Sequence, residues 1–198
     1  MLTYSQVTFK DLQERFGIRT DNQAFLPVVE PLPLPDWLKQ YFAINPLVAA
    51  VTKSEKAISE LIIAPLLSAV KAQQQGQIGI FSGEPLSGID LAGVCDFIIT
   101  TNPTGFLPEP PIMVLVEAKR QDLLGGIPQC IAEMLVAKHL NEKAGLSLPA
   151  IYGCVTTGTE WQFLRLMGNT ALADPNILYY PNFELVLGVF NWIISQFR

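Results

Sequence analysis

Residues 111–119 read PIMVLVEAK, and this stretch restricts the fold more than any other. An unbroken run of β-branched and other apolar residues of this length predicts a strand buried on both faces, hence a central strand of a sheet covered by helices. It ends in Glu117, Ala118 and Lys119. Side chains alternate along a strand, so Glu117 and Lys119 share one face while Ala118 takes the other. Charged groups are rarely buried without a partner, because stripping their water is costly. The pair therefore marks a place where chemistry, not packing, sets the sequence.

The surrounding pattern supports an α/β domain. Ser54 caps a predicted helix over 54–74, with Pro65 as a point of bending. QIGIF (77–81) reads as a strand, SGEPLSG (82–88) as a turn, and LAGVCDFIIT (91–100) as a second strand. After the third strand, Pro128 fits the first turn of a helix reaching Lys143. AIYGCVT (150–156) and WQFLRLM (161–167) are two further strands joined through TGTE, a short strand follows near 177–180, and 182–197 forms a last helix. Residues 1–50 read as an N-terminal extension with short helices at 8–16 and 36–44 on either side of the proline-rich PVVEPLPLPDW. One domain of 198 residues with a central mixed β-sheet flanked by helices is the expectation.

Composition excludes several classes. Three cysteines, Cys95, Cys130 and Cys154, lie far apart among apolar residues and read as reduced core residues. A single histidine, His139, excludes mechanisms that need two. Neither 61–70 nor 183–197 reaches the length of a membrane-crossing helix, and MLTYSQVTFKD lacks the basic start and apolar core of a signal peptide, so a cytoplasmic protein with no membrane partner is expected. Hydrophobic residues are 49% and charged residues 16% of the chain, which makes a homo-oligomer an expectation. The net charge of −5 lacks the basic footprint of a strong nonspecific DNA binder.

A second charge interrupts the strand before: Asp96, in VCDFII, on the face of Val94 and Ile98. If 91–100 and 111–119 form a hairpin, Asp96 and Glu117 come roughly level across the ladder. Facing carboxylates repel, and a divalent cation between them, Mg²⁺ or Mn²⁺ by its oxygen ligands, would explain their coexistence. Lys119 sits one pleat further along. Such a site suits phosphodiester hydrolysis, in which the metal activates water and the lysine positions it or stabilises developing negative charge.

Asp96 in GVCDF and Glu117 with Lys119 in VEAK, followed by Gln129 in GIPQC, resemble the motif of the PD-(D/E)XK, or restriction-endonuclease-like, nuclease superfamily. TTGTEWQFLRL is similar to the closing strand pair of nuclease domains attached to type I restriction motors. The resemblance covers residues 54–167. It implies a restriction-endonuclease-like core, an endonuclease-like activity on nucleic acid, DNA ahead of RNA, and a glutamate on the preceding helix as a further metal ligand. Glu60, in line with Ile63, Ala64 and Leu67, and Glu55, in line with Ile58 and Ile62, both fit that place. Gln129, at the second helical position, would serve water or phosphate beside the free backbone N–H groups, or cap the helix end. Cys95 stands where the family name has proline. Lys119, Arg120, Lys138, Lys143 and Arg165 are the cations that would have to gather for phosphates. A non-catalytic, oligomeric binding or assembly module of the same fold is the alternative.

Overall fold

A computed structural model describes residues 1–44 and 54–198; residues 45–50 of the expected extension lie outside that range. The protein is α/β, a mixed nine-stranded sheet with helices on both faces. The strands are β1 (Leu2–Thr3), β2 (Arg19–Asn22), β3 (Gly79–Gly88), β4 (Leu91–Thr100), β5 (Ile112–Ala118), β6 (Ile151–Thr156), β7 (Glu160–Met167), β8 (Thr170–Ala173) and β9 (Leu178–Tyr179). The helices are α1 (Phe9–Phe16), α2 (Asp36–Ile44), α3 (Glu55–Ile58), α4 (Ala64–Gln73), α5 (Leu123–Lys143) and α6 (Phe183–Ser195), with a π-helical turn, Ser59–Ile63, joining α3 to α4. Strand order is β1-β4-β5-β6-β7-β8-β2, with β3 on β4 and β9 on β7. β5 is central as expected, and all seven of its residues are buried.

Its two faces feed two cores. Val114, Val116 and Ala118 join α4 and α6 in one cluster, where Trp161 and Phe163 pack edge-on against Phe190. Leu115 faces α5 in the other, with Cys130, Ile131 and Met134. This two-sided burial accommodates the apolar composition. The last helix is part of it: Val186, Leu187, Phe190, Ile193 and Ile194 are buried. No helix among the described residues is long and apolar enough to cross a membrane. The three cysteines are free and buried.

Several boundaries differ from expectation. SGEPLSG is not a turn: β3 runs through it, and the two-residue reversal falls on Ile89 and Asp90, both at positive φ (47° and 64°). A β-branched residue there conceals the signal, since Asn-Gly is the usual sequence for such a turn. α5 begins at Leu123, not at Pro128; Asp122 caps it by accepting the Gly125 N–H at 3.0 Å. Pro128 is then the sixth helical residue. The N-terminal segment is no appendage. β1 pairs with β4 at one side of the sheet and β2 pairs with β8 at the other, both parallel. Between β2 and α2 the proline-rich chain crosses α6, where Gly188 leaves room for it: a Cβ there would lie 2.4 Å from the Glu30 carbonyl oxygen. Buried Asp174 holds this crossing by accepting the Phe25 and Leu26 N–H groups at 2.8 and 2.9 Å.

Candidate active site

The site forms at a fork in the sheet. β4 pairs with β5 only from Phe97 to Thr100, and β1 joins the same edge at Leu91 and Ala92. A bulge between Ile99 and Thr100 leaves Met113 unpaired, shifting β5 so that Phe97 faces Val116. One residue further, Asp96 stands opposite Glu117. The levelling expected from the hairpin thus depends on an extra residue that simple counting does not include.

At this point the ladder gives way to side chains. The Ala118 N–H, which would otherwise reach across to β4's backbone, donates to Asp96 Oδ2 at 2.7 Å. On the opposite edge of β4, Gly83 at φ 70° interrupts the β3 pairing across from Asp96. The faces also change there: Cys95 belongs to the α5-side core, while Phe97 belongs to the other. Asp96 therefore sits in a local twist rather than in a plain alternation with Val94 and Ile98.

Glu117 is 2% exposed and points toward α5. Lys119 Nζ donates to Glu117 Oε1 and, at 3.0 Å, to Gln129 Oε1. Gly126 on α5 lets the lysine pass, because a Cβ there would lie 2.9 Å from Lys119 Cγ. Gln129 is in the helix interior, not at the second position, so it does not share the helix's free N–H groups; it contacts Lys119 instead. Its amide Nε2 lies 3.5 Å from Oε1 of Glu133, a fully buried residue that sequence reasoning missed. The signal available was a glutamine and a glutamate four apart in the otherwise apolar stretch LLGGIPQCIAEMLVA that opens the helix. Glu117 Oε2 and Glu133 Oε2 are both buried with no N–H or hydroxyl donor on them, and the two carboxyls lie within hydrogen-bonding reach of each other.

Burial dominates the electrostatics. It pushes Glu117 up to about 7, with the Asp96 charge adding to the shift and Lys119 opposing it. Glu133 is raised well above the usual carboxylate range by burial and then by Glu117's charge. Asp96 is raised by burial, against the Ala118 N–H and Lys119. For Lys119 burial favours the neutral amine, but the Glu117 carboxylate and its hydrogen bond outweigh that and hold the ammonium above its ordinary value.

The two helix glutamates separate. Glu55 reaches the strand end, where its Oε1 accepts the Arg120 N–H at 3.2 Å, and its charge is felt by Asp96 and Lys119. Glu60 is exposed and lies 3.8 Å from Lys56. The reading that aligned Glu60 with Ile63 and Leu67 assumed α-helical spacing; the π turn changes which side chains share a face there. The cations that would have to gather for phosphates are dispersed. Lys138 donates to the Gly168 carbonyl at 2.9 Å, Arg165 lies over the Phe25 ring at 4.8 Å, and Lys143 is fourteen residues, about 21 Å at 1.5 Å per residue, along α5 from Gln129. Lys119 and Arg120 remain.

A divalent ion here would rest on Asp96 and Glu117. The donor set suits Mg²⁺, which commonly takes one or two carboxylates and completes its shell with water and phosphate. Glu117 Oε2, a buried oxygen with no N–H or hydroxyl donor on it, is an available ligand atom. Among the described residues no three His, Cys, Asp or Glu side chains gather closely enough to form an all-protein cage.

No protein-family model matches this chain, and no curated protein does.

Proposed function

We propose that the protein is a Mg²⁺-dependent phosphodiester hydrolase acting on nucleic acid, with a restriction-endonuclease-like core. The observation that carries this is the meeting of Asp96 and Glu117 across two strands that part at that point, with Lys119 on the next pleat. Asp96 and Glu117 would hold the ion, which when bound supplies a Lewis acid for the phosphoryl oxygen and lowers the pKa of water. Lys119 stabilises negative charge beside Glu117 or orients the attacking water. Glu55 contributes negative charge just past the end of β5, and Arg120 is the nearest further cation along the chain for a phosphate.

The test is cleavage of single- and double-stranded DNA and RNA by the purified chain with Mg²⁺ or Mn²⁺. Cutting is expected, with a loss of about a hundredfold or more in Lys119→Ala and Asp96→Asn. Absence of cutting, or cutting that survives Lys119→Ala, overturns the reading.

A second reading is favoured by the near-complete burial of Glu117 and its ion pair with Lys119. In it the fold is retained without catalysis and the chain works as a self-associating binding module. Failure to bind Mn²⁺ in a titration, together with a stable dimer by light scattering, selects that reading.

A further inference from the structure

A fully buried glutamate in the apolar part of α5 needs a reason, and Glu133 has two neighbour relations that bear on the site: its carboxyl is within hydrogen-bonding reach of Glu117's, and it faces the Gln129 amide. Lys119's ammonium has only donors to offer, so whichever atom of the Gln129 amide faces it must be the carbonyl oxygen. That oxygen lies 3.0 Å from Nζ, which turns Nε2 the other way, toward Glu133 Oε1 at 3.5 Å. The spacing of four residues places Gln129 and Glu133 one above the other on α5, and Glu117 faces the same helix. The path from Glu133 through Gln129 to Lys119 and Glu117 is a chain of hydrogen-bonding groups with one consistent orientation.

We propose that Glu133 is a positioning residue for Lys119. By accepting from the Gln129 amide it fixes which end of that amide is presented, and Gln129 Oε1 then pins the lysine ammonium against Glu117. Without an acceptor at position 133 the amide loses its second anchor and is oriented by the lysine alone, so it no longer holds the ammonium in place and the lysine is pinned by Glu117 alone. Gln129 therefore acts on the lysine, not on phosphate or water directly. The kinetic consequence rests on the hydrolase reading; the geometric claim about Lys119 does not.

Two variants and two readouts separate these. Glu133→Leu removes the acceptor in an apolar shape of similar size, whereas Glu133→Gln retains a carbonyl oxygen that can accept. The reactivity of the Lys119 amine, read by reductive methylation and peptide mass spectrometry against the exposed lysines Lys10 and Lys56 of the same sample, should rise about fivefold or more in Glu133→Leu and stay near wild type in Glu133→Gln. In a nuclease assay Glu133→Leu should lower kcat about ten- to a hundredfold with little change in KM, and Glu133→Gln should restore most of it. Unchanged Lys119 labelling in a folded Glu133→Leu protein overturns the proposal, even if the wild type cuts nucleic acid. A wild type that cuts nothing overturns the hydrolase reading and leaves the labelling result to decide this one. If Glu133→Leu does not fold, Gln129→Met replaces it. Labelling should then rise, and adding Glu133→Gln should change nothing further; an added effect overturns the proposal.

Discussion

Glu117 combines a charged group, a central strand and almost no contact with water, so its protonation must be linked to folding. Its pKa in the folded chain is pushed up to about 7, above the roughly 4.3 of a free glutamate. The folded state therefore binds a proton more tightly than the unfolded state. This contribution to stability is complete below about pH 4.3 and is lost as pH rises toward 7. Urea melts of metal-free protein should show a midpoint that falls between pH 5 and pH 7.5, and Glu117→Gln should flatten much of that slope. A midpoint that rises over this range, or an equal slope in Glu117→Gln, contradicts the burial argument. At this scale Asp96, Glu117 and Lys119 were legible because charges interrupting apolar strands are conspicuous. Glu133 was fainter, since helices routinely carry glutamates; its one mark is the apolar stretch around it, and the tertiary contact shows that it faces inward. Glu55 and Glu60 could not be separated because the π turn leaves no mark in the spacing of the apolar residues.

Whole elements depend on a few polar clamps that hold the site's strands in place. Asn141, near the end of α5, is buried; its Oδ1 accepts the Ile112 N–H at 2.8 Å and its Nδ2 donates to the Ile112 carbonyl at 2.9 Å. The side chain thus acts like an adjoining strand for the first residue of β5, beside the bulge that sets the Asp96–Glu117 register. Asn141→Leu keeps the size but leaves two buried backbone groups unpaired, at about 1–3 kcal/mol each. A loss of about 2–5 kcal/mol in urea unfolding is expected, with hydrogen exchange at Ile112 and Met113 accelerated more than at Val116. Stability within 0.5 kcal/mol of wild type, roughly the level of an ordinary surface change, would show the clamp to be idle. The strands and helices themselves were largely legible: α2 lies where the sequence placed it, and β4 through β7 differ by a residue or two at their ends. The misplaced start of α5 has a physical cause. Gly125, Gly126 and Pro128 are poor helix residues, yet Asp122 caps the helix ahead of them, Gly126 is needed for Lys119 to pass, and packing against β5 and β6 offsets their propensity.

Across the whole molecule the N-terminal 22 residues behave as part of the core, although the sequence suggests an extension ahead of a 54–167 unit. β1 and β2 are two and four residues long, too short to show a strand period, so their membership could not be read before the sheet was seen. Tyr4, Val7, Leu12 and Ile18 are all buried in the α5-side core. Tyr4 packs on Gly93 so closely that a Cβ there would lie 2.5 Å from its ring, and its hydroxyl donates to the Leu86 carbonyl at 2.7 Å. Burying side chains of this size contributes about 1.5–3 kcal/mol each, so removing residues 1–22 forfeits roughly 6–12 kcal/mol. That is comparable to the whole stability of a typical domain, about 5–15 kcal/mol. The chain 23–198 should lack a cooperative urea transition and near-ultraviolet circular dichroism, and should aggregate through the bared edges of β4 and β8. A true appendage would instead leave the transition in place with its midpoint little changed. If 23–198 unfolds cooperatively near the full-length midpoint, β1 and the buried Tyr4 side chain are ornaments of the fork beside Asp96 rather than one of its walls.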